Sequence, residues 1–220
     1  MTAIVALERA VVRYPGRAAP ALGALDFALH PGERVGLAGD NGSGKTTLLL
    51  ALAGLRPLAA GRLLHDGEHA VSPRRLRNLR RAVGIVFQNA DDQLFMPTVL
   101  EDVAFGPLNL GCGQEQARAR ALEALEGLGA AGLPRALPHT LSGGQKRIVA
   151  LATVLAMRPR AVLLDEPTND LDARGAARLE ELLLAGGLAL VVASHDRDFL
   201  ARVATRTVLL RDGVPAARQG

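Results

Sequence analysis

The sequence is poor in several residue types, and each scarcity narrows the chemistry open to it. Only one cysteine, Cys112, stands among 220 residues. It cannot close an internal disulfide, and no N-terminal stretch has the basic, apolar, small-residue order of a secretory leader. Both observations point to a reducing, cytosolic compartment. Long hydrophobic runs are missing as well: Leu188 to Ala193 falls far below the ~20 residues that span a bilayer, so membrane contact is expected only through partners. Internal repeats, low-complexity tracts and long linkers are absent. Lysine is scarce too, since 24 of the 26 basic residues are arginine and only Lys45 and Lys146 are lysine.

What remains has the balance of a compact globular protein, with 49% hydrophobic and 22% charged residues. The 26 bases exceed the 22 acids only mildly, so charge alone assigns no nucleic-acid partner. Ile4 to Arg13, Leu25 to His30 and Arg34 to Ala38 read as strands parted by Pro15-Gly16 and Pro31-Gly32. A helix is expected from Lys45 to Ala53, a hairpin at Asp66-Gly67, and a short helix capped by Ser72 ahead of a strand at Val83 to Phe87. Between Pro97 and Pro138 the pattern is helical, clearest at Gln114 to Leu128. A helix Gly143 to Met157 and a buried strand Ala161 to Leu164 follow. The chain closes with a helix Ala173 to Ala185, strand Leu188 to Ala193, helix Arg197 to Ala204 and strand Thr207 to Leu210. Alternating strands and helices argue for a mostly parallel sheet, joined to an antiparallel β piece and a helical insert.

Gly39-Asp40-Asn41-Gly42-Ser43-Gly44-Lys45-Thr46 has the spacing G-x-x-x-x-G-K-[ST] and stands between an expected strand and helix. Glycines let the backbone wrap a phosphate with its N–H groups turned inward. Lys45 is placed to reach β and γ phosphates and the Thr46 hydroxyl to ligate Mg²⁺. Further on, Asp165 and Glu166 end a buried strand, at the sheet edge where open α/β folds bind ligands. Asp165 is expected to hold the metal and Glu166, one residue on, to polarise an attacking water as general base.

With these motifs in place, Leu141-Ser142-Gly143-Gly144-Gln145 resembles the signature sequence of the ATP-binding cassette family. The resemblance covers essentially the whole chain, and Ser142 also reads as a helix cap. It implies an α/β fold: a P-loop NTPase, RecA-like core with an N-terminal antiparallel β subdomain and an α-helical signature subdomain. The chain is then a single domain over 1–220, with core and β subdomain over about 1–88 and 159–220 and the helical subdomain over about 89–158. It implies an ATPase with ATP and Mg²⁺ as cofactors, working as a head-to-tail homodimer. Gly39, Asn41, Gly42, Ser43, Gly44, Lys45, Thr46 and Thr47 would bind the nucleotide in one chain, with Ser142, Gly143, Gly144 and Gln145 of the other closing on the γ phosphate. By the same resemblance Gln88 looks like the glutamine that touches Mg²⁺ and water and senses a transmembrane partner. His195 looks like the switch histidine on the γ phosphate, Asn169 to Asp172 like the loop at the dimer seam, and Tyr14 like the aromatic that stacks on adenine.

The run Val86-Phe87-Gln88-Asn89-Ala90-Asp91-Asp92-Gln93-Leu94-Phe95, with its continuation from Pro97 to Gly111, is similar to the energy-coupling factor importers. Its wording is nearest the ATPases of cobalt and nickel uptake, with the biotin-uptake ATPases close behind. Two departures stand out: position 90 is Ala where these relatives usually have Pro, and the chain ends at Gly220 without the extension common in metal-uptake members. The implied partners are a transmembrane scaffold (T-type) protein and a substrate-binding membrane component, with the chain peripheral on the cytoplasmic face of the membrane and no nucleic acid. A soluble cassette protein acting on DNA or the ribosome is the competing class, yet neither a coiled-coil insertion nor a second cassette is visible. His65 and His69 flank Asp66-Gly67 and read as an exposed turn rather than metal ligands. Arg74, Arg75, Arg77, Arg80 and Arg81 read as a solvated helix face, and Cys112 as inert.

Overall fold

The computed structural model describes residues 1–216; residues 217–220, the end of the span read from the sequence as one domain, lie outside the described residues. The chain begins β1 (Val5–Val12), β2 (Leu22–Leu29), β3 (Arg34–Ala38), α1 (Lys45–Leu52), β4 (Ala60–His65), β5 (Glu68–His69), α2 (Pro73–Ala82) and β6 (Val83–Val86). It continues with α3 (Val99–Asn109), α4 (Gln114–Gly127), α5 (Gly143–Leu155), β7 (Ala161–Asp165), α6 (Ala173–Ala185), β8 (Ala189–Ala193), α7 (Arg197–Val203), β9 (Arg206–Arg211) and β10 (Val214–Pro215). Two units form. The first joins Met1–Ile85, Arg160–Glu166 and the chain from Gly187 onward; the second joins Val86–Pro159 and Pro167–Gly186.

The first unit holds a four-stranded sheet of order β2-β1-β4-β5, in which β1 pairs antiparallel with both β2 and β4. Val5 and Leu7, and again Ala10 and Val12, are the buried residues of β1, an alternation broken once by the irregularity between Leu7 and Ala10. Asp66 and Gly67 both take positive φ (50° and 78°), so a two-residue turn of the kind that matches strand twist joins β4 to β5. The six-stranded sheet of order β10-β9-β3-β8-β7-β6 is mostly parallel: β3 runs parallel to β8 and β9, and β7 to β8. Every residue of β7 and β8 is buried, as central strands covered on both faces must be. The short antiparallel edge strand β10 was not expected; two residues, one of them proline, carry no readable strand pattern.

One apolar core unites the sheets, with Val5 and Leu7 of β1, Val35 and Leu37 of β3, Leu163 of β7 and Val191 of β8 packed with Leu48, Leu49 and Leu52 of α1. Because α1 is buried on most of its surface, the loop that precedes it starts from a fixed point. His65 departs from the sequence reading. It lies on β4 rather than on the turn, its side chain is 13% exposed, and Nδ1 sits 2.7 Å from the Ile4 carbonyl oxygen. The Asp-Gly signal placed the turn correctly, but the strand's inward face claims the imidazole. Among the described residues no group of three or more His, Cys, Asp or Glu side chains could hold a metal ion. Nor is any helix among them long and apolar enough to cross a membrane. On α2, Ser72 accepts the Arg75 N–H as the expected cap, and Arg74, Arg77 and Arg81 are exposed.

In the second unit α3, α4 and α5 pack on one another. Ala117, Ala121 and Leu125 give α4 its buried stripe at four-residue spacing. Helix α3 opens on a reciprocal cap, Thr98 accepting the Glu101 N–H while the Glu101 carboxylate accepts the Thr98 N–H at 3.0 Å. Its Pro107, in the last turn before the end at Asn109, removes the N–H that would otherwise donate to the Val103 carbonyl. Leu179 and Leu183 bury the inner face of α6.

Candidate functional site

Three adjacent parallel strands end at one level. Leu37 of β3 pairs with Ala193 of β8, which in turn pairs with Asp165 of β7. The residues just past these points are therefore delivered side by side at the carboxyl edge of the sheet: the glycine loop after β3, Glu166 after β7, and Ser194-His195 after β8.

The loop needs its glycines for different reasons. Gly39 (φ 148°) could not carry a Cβ, which would strike the Leu210 carbonyl oxygen and stand 2.6 Å from Ser43 Oγ. Gly42 faces open space but has φ 82°, a conformation side chains resist, and Gly44 precedes α1 at φ 104°. Lys45 Nζ donates to the carbonyl oxygens of Gly39 (2.7 Å) and Asp40 (3.2 Å), so the ammonium is drawn across the loop that precedes its own helix. Ser43 Oγ is buried and makes no hydrogen bond within the protein. An orphaned hydroxyl, a buried ammonium and the N-terminus of a buried helix make a site suited to phosphate oxygens. Beside them a cleft of about 420 Å³ is lined by Gly39, Asp40, Asn41, Ser194, His195 and Arg211.

Thr46 Oγ1 donates to Asp165 Oδ2 at 2.7 Å, which brings a hydroxyl from α1 and a carboxylate from β7 to one point. Such all-oxygen donors fit Mg²⁺, a hard cation. Glu166, 6% exposed, takes positive φ (46°), held there by its N–H to the Ala193 carbonyl at 2.8 Å. A non-glycine residue in this region is strained, and strain of this kind gathers at functional sites. Glu166 Oε2 accepts the His195 backbone N–H (3.3 Å) and lies 2.8 Å from His195 Nδ1. The His195 side chain is 67% exposed, so the pair joins a buried acid to a solvent-facing imidazole. Tyr14 lies in the same unit, its hydroxyl 3.3 Å from Thr47 Oγ1.

The second unit carries the other sequence-marked residues. Ser142 caps α5, accepting the Gln145 N–H at 3.3 Å, while Gln145 Oε1 accepts the Ser142 N–H at 3.0 Å. Gly143 and Gly144 lie against Asp170, and a groove of about 680 Å³ runs past Ser142, Gly144, Gln145, Asp170 and Asp172. Gln88 is exposed and stands two residues beyond β6, which ends at Val86. Its carbonyl accepts Arg147 Nη2 at 2.6 Å, and the Phe87 carbonyl accepts Arg147 Nη1 at 2.8 Å. Arg147 also lies 3.9 Å from Asp170. This buried arginine ties the Phe87-Gln88 segment and the Asp170 loop to α5 and was not singled out in the sequence; its place two residues after Gln145 was the available signal.

Asp102 was not singled out in the sequence either. It is 4% exposed on α3, and its Oδ1 accepts the N–H groups of Phe95 and Met96 at 3.0 Å each. Burial pushes its carboxyl above the ordinary value, against the lowering pull of those two hydrogen bonds, and neighbouring Glu101 adds to the rise. A carboxyl whose pKa is higher folded than unfolded favours the fold when protonated; that contribution is full below the unfolded pKa and is lost as pH rises through the folded one. Asp102→Asn keeps an oxygen for both N–H groups, so its stability relative to the parent should be greater at pH 7 than at pH 4. Urea titrations at the two values check this, and an equal difference at both would contradict it.

A glycine-lysine phosphate loop, a strand-borne acid pair and a capped signature helix together define a P-loop ATPase. The ABC transporter family model matches residues 22–169. The chain is 48% identical to the cobalt import ATP-binding protein CbiO of Rhodobacter capsulatus over 97% of its length and 77% of that protein. It is 42% identical to the energy-coupling factor transporter ATP-binding protein EcfA of Methanosphaera stadtmanae, over 97% of this chain and 78% of that one. Among solved structures, CbiO1 of Clostridium perfringens, described as part of the ABC transporter complex CbiONQ, superposes with a TM-score of 0.86 at 32% identity, covering 99% of this chain and 88% of that one. A bacterial ABC transporter cassette solved as a dimer gives 0.87 at 30% identity, covering 97% of each chain. The chain belongs to the ABC transporter family, and it is an ABC ATPase of the energy-coupling factor and CbiO type.

Proposed function

We propose that this chain powers an energy-coupling factor importer for cobalt or nickel ions, hydrolysing Mg-ATP in a head-to-tail pair and meeting the membrane only through a transmembrane scaffold. The observation that carries the importer reading is the segment from Gln88 to Gly111. Its wording is that of these importers, and it places Phe95 (64% exposed) and Phe105 (37% exposed) edge to face at 5.0 Å, with Leu108 exposed on the same helix as Phe105. Exposed aromatic side chains grouped in this way suit a partner's helices. The metal-ion cargo follows the relatives named for cobalt, and the cargo itself would be bound by a membrane component rather than by this chain.

In this reading Lys45, Ser43 and the loop N–H groups hold the triphosphate, and Thr46, Asp165 and Gln88 would hold Mg²⁺. Bound there, the metal would neutralise charge on the β and γ phosphates. Glu166 takes the proton of the attacking water. His195, hydrogen-bonded to Glu166, orients that carboxylate and faces the γ phosphate. Ser142, Gly143, Gly144 and Gln145 of a second copy close the site, for the α5 N-terminus offers N–H groups and a positive dipole end to the same phosphate.

Co-expression with the membrane proteins of one energy-coupling factor system tests the importer reading. The chain should co-purify in detergent with the scaffold, and Phe95→Glu with Phe105→Glu should abolish co-purification while ATP binding persists. Retention of the doubly substituted chain, or no association of the parent, would overturn it.

A further inference from the structure

The residue that governs nucleobase affinity need not touch the base. We propose that Arg56 is a positioning residue of the nucleobase site: its guanidinium backs the Tyr14 ring and sets it as a stacking platform for a purine. The proposal rests on the reading of Tyr14 as the adenine-stacking residue.

The Arg56 guanidinium carbon stands 4.0 Å from the centroid of the Tyr14 ring. This is close contact between a cation and the negative face of an aromatic. Arg56 Nη2 donates to the Arg13 carbonyl at 3.2 Å, next to Tyr14 in the chain, and the buried Nε makes no hydrogen bond. The ring therefore takes the place of an acceptor for that side of the guanidinium. The Tyr14 hydroxyl meets Thr47 Oγ1. Arg56 in turn is held by its backbone, whose N–H donates to the Leu50 carbonyl at 3.1 Å.

Both anchors thus belong to one element. Thr47 lies in the first turn of α1 and Leu50 near its end, while Lys45 and Thr46 open the same helix. A single buried helix fixes the ring by its hydroxyl and, through Arg56, by its face, and so sets the distance from base platform to phosphate loop. A ring already held in its binding orientation loses little freedom when a base stacks on it. Stacking reads no hydrogen-bond pattern, so the effect should extend to any purine and vanish for a ligand without a base.

Calorimetric titration of the whole chain with Mg-ATP, Mg-GTP and magnesium tripolyphosphate separates these contributions. Arg56→Ala should weaken both nucleotides about threefold to tenfold and leave tripolyphosphate unchanged, with Arg56→Lys recovering part of the loss by restoring a cation. An equal loss for tripolyphosphate would show general damage at the helix end and overturn the proposal. Unchanged nucleotide affinity in Arg56→Ala, beside a clear loss in Tyr14→Ala, would overturn it alone. Should Tyr14→Ala keep full ATP affinity, the platform reading itself fails and Arg56 falls with it.

Discussion

Glu166→Gln is expected to lower the hydrolytic rate by about a hundredfold to ten-thousandfold while leaving ATP affinity nearly unchanged. The reason lies in how the side chain is held. Glu166 Oε2 already accepts the His195 N–H and contacts Nδ1, and a glutamine oxygen can accept the same bonds in the same buried volume. Geometry and phosphate contacts survive, and only the capacity to take a proton is lost. With the γ phosphate retained, both copies stay closed on it, so the variant should elute as a nucleotide-dependent dimer. Rapid-quench turnover, calorimetry and light scattering check the three parts. A fully active Glu166→Gln enzyme would remove the base assignment, and a variant that binds ATP only as a monomer would remove the paired-site assignment.

Lys45→Ala should act on the other half of the chemistry, weakening ATP binding about tenfold to a hundredfold, the range of one charge-assisted hydrogen bond. Lys45 is 7% exposed, and its ammonium is held by two neutral carbonyls rather than a carboxylate. A buried cation whose hydrogen bonds go to carbonyls carries a desolvation cost that an arriving polyanion offsets. The substitution should therefore leave the ligand-free protein at least as resistant to heat, while much of the rise in melting temperature on adding ATP disappears. Unchanged ATP affinity would contradict the cradle, and loss of the ligand-free fold would show that the lysine is structural.

The sequence was most legible where local rules leave few choices. The helix Ala173–Ala185 and the strand Arg34–Ala38 stand where their periodicity and flanking turns placed them, and the Asp66-Gly67 turn and the Ser72 cap follow from backbone preferences of single residues. Strand ends shifted by a residue: β6 stops at Val86 rather than Phe87, and β8 starts at Ala189 rather than Leu188. Side-chain environment was harder. His65 looked exposed beside its turn, and Arg147 and Asp102 were not singled out at all, yet all three are largely covered. Which face of an element is buried depends on partners far away in the chain, and charged residues give no warning when a backbone carbonyl or N–H satisfies them.

By itself the order of residues determined the phosphate loop, the acid pair and the signature cap, because each is a short motif whose spacing suits one local geometry. Only the tertiary structure decided that the first two converge: the register of Leu37, Ala193 and Asp165 across three strands sets the glycine loop, Glu166 and His195 at one sheet edge. The same is true of the Thr46 to Asp165 contact and of Arg56 on Tyr14. Such pairings join residues remote in sequence, and it is hydrogen-bonded strand register and the packing of one buried helix, rather than local preference, that brings them within reach.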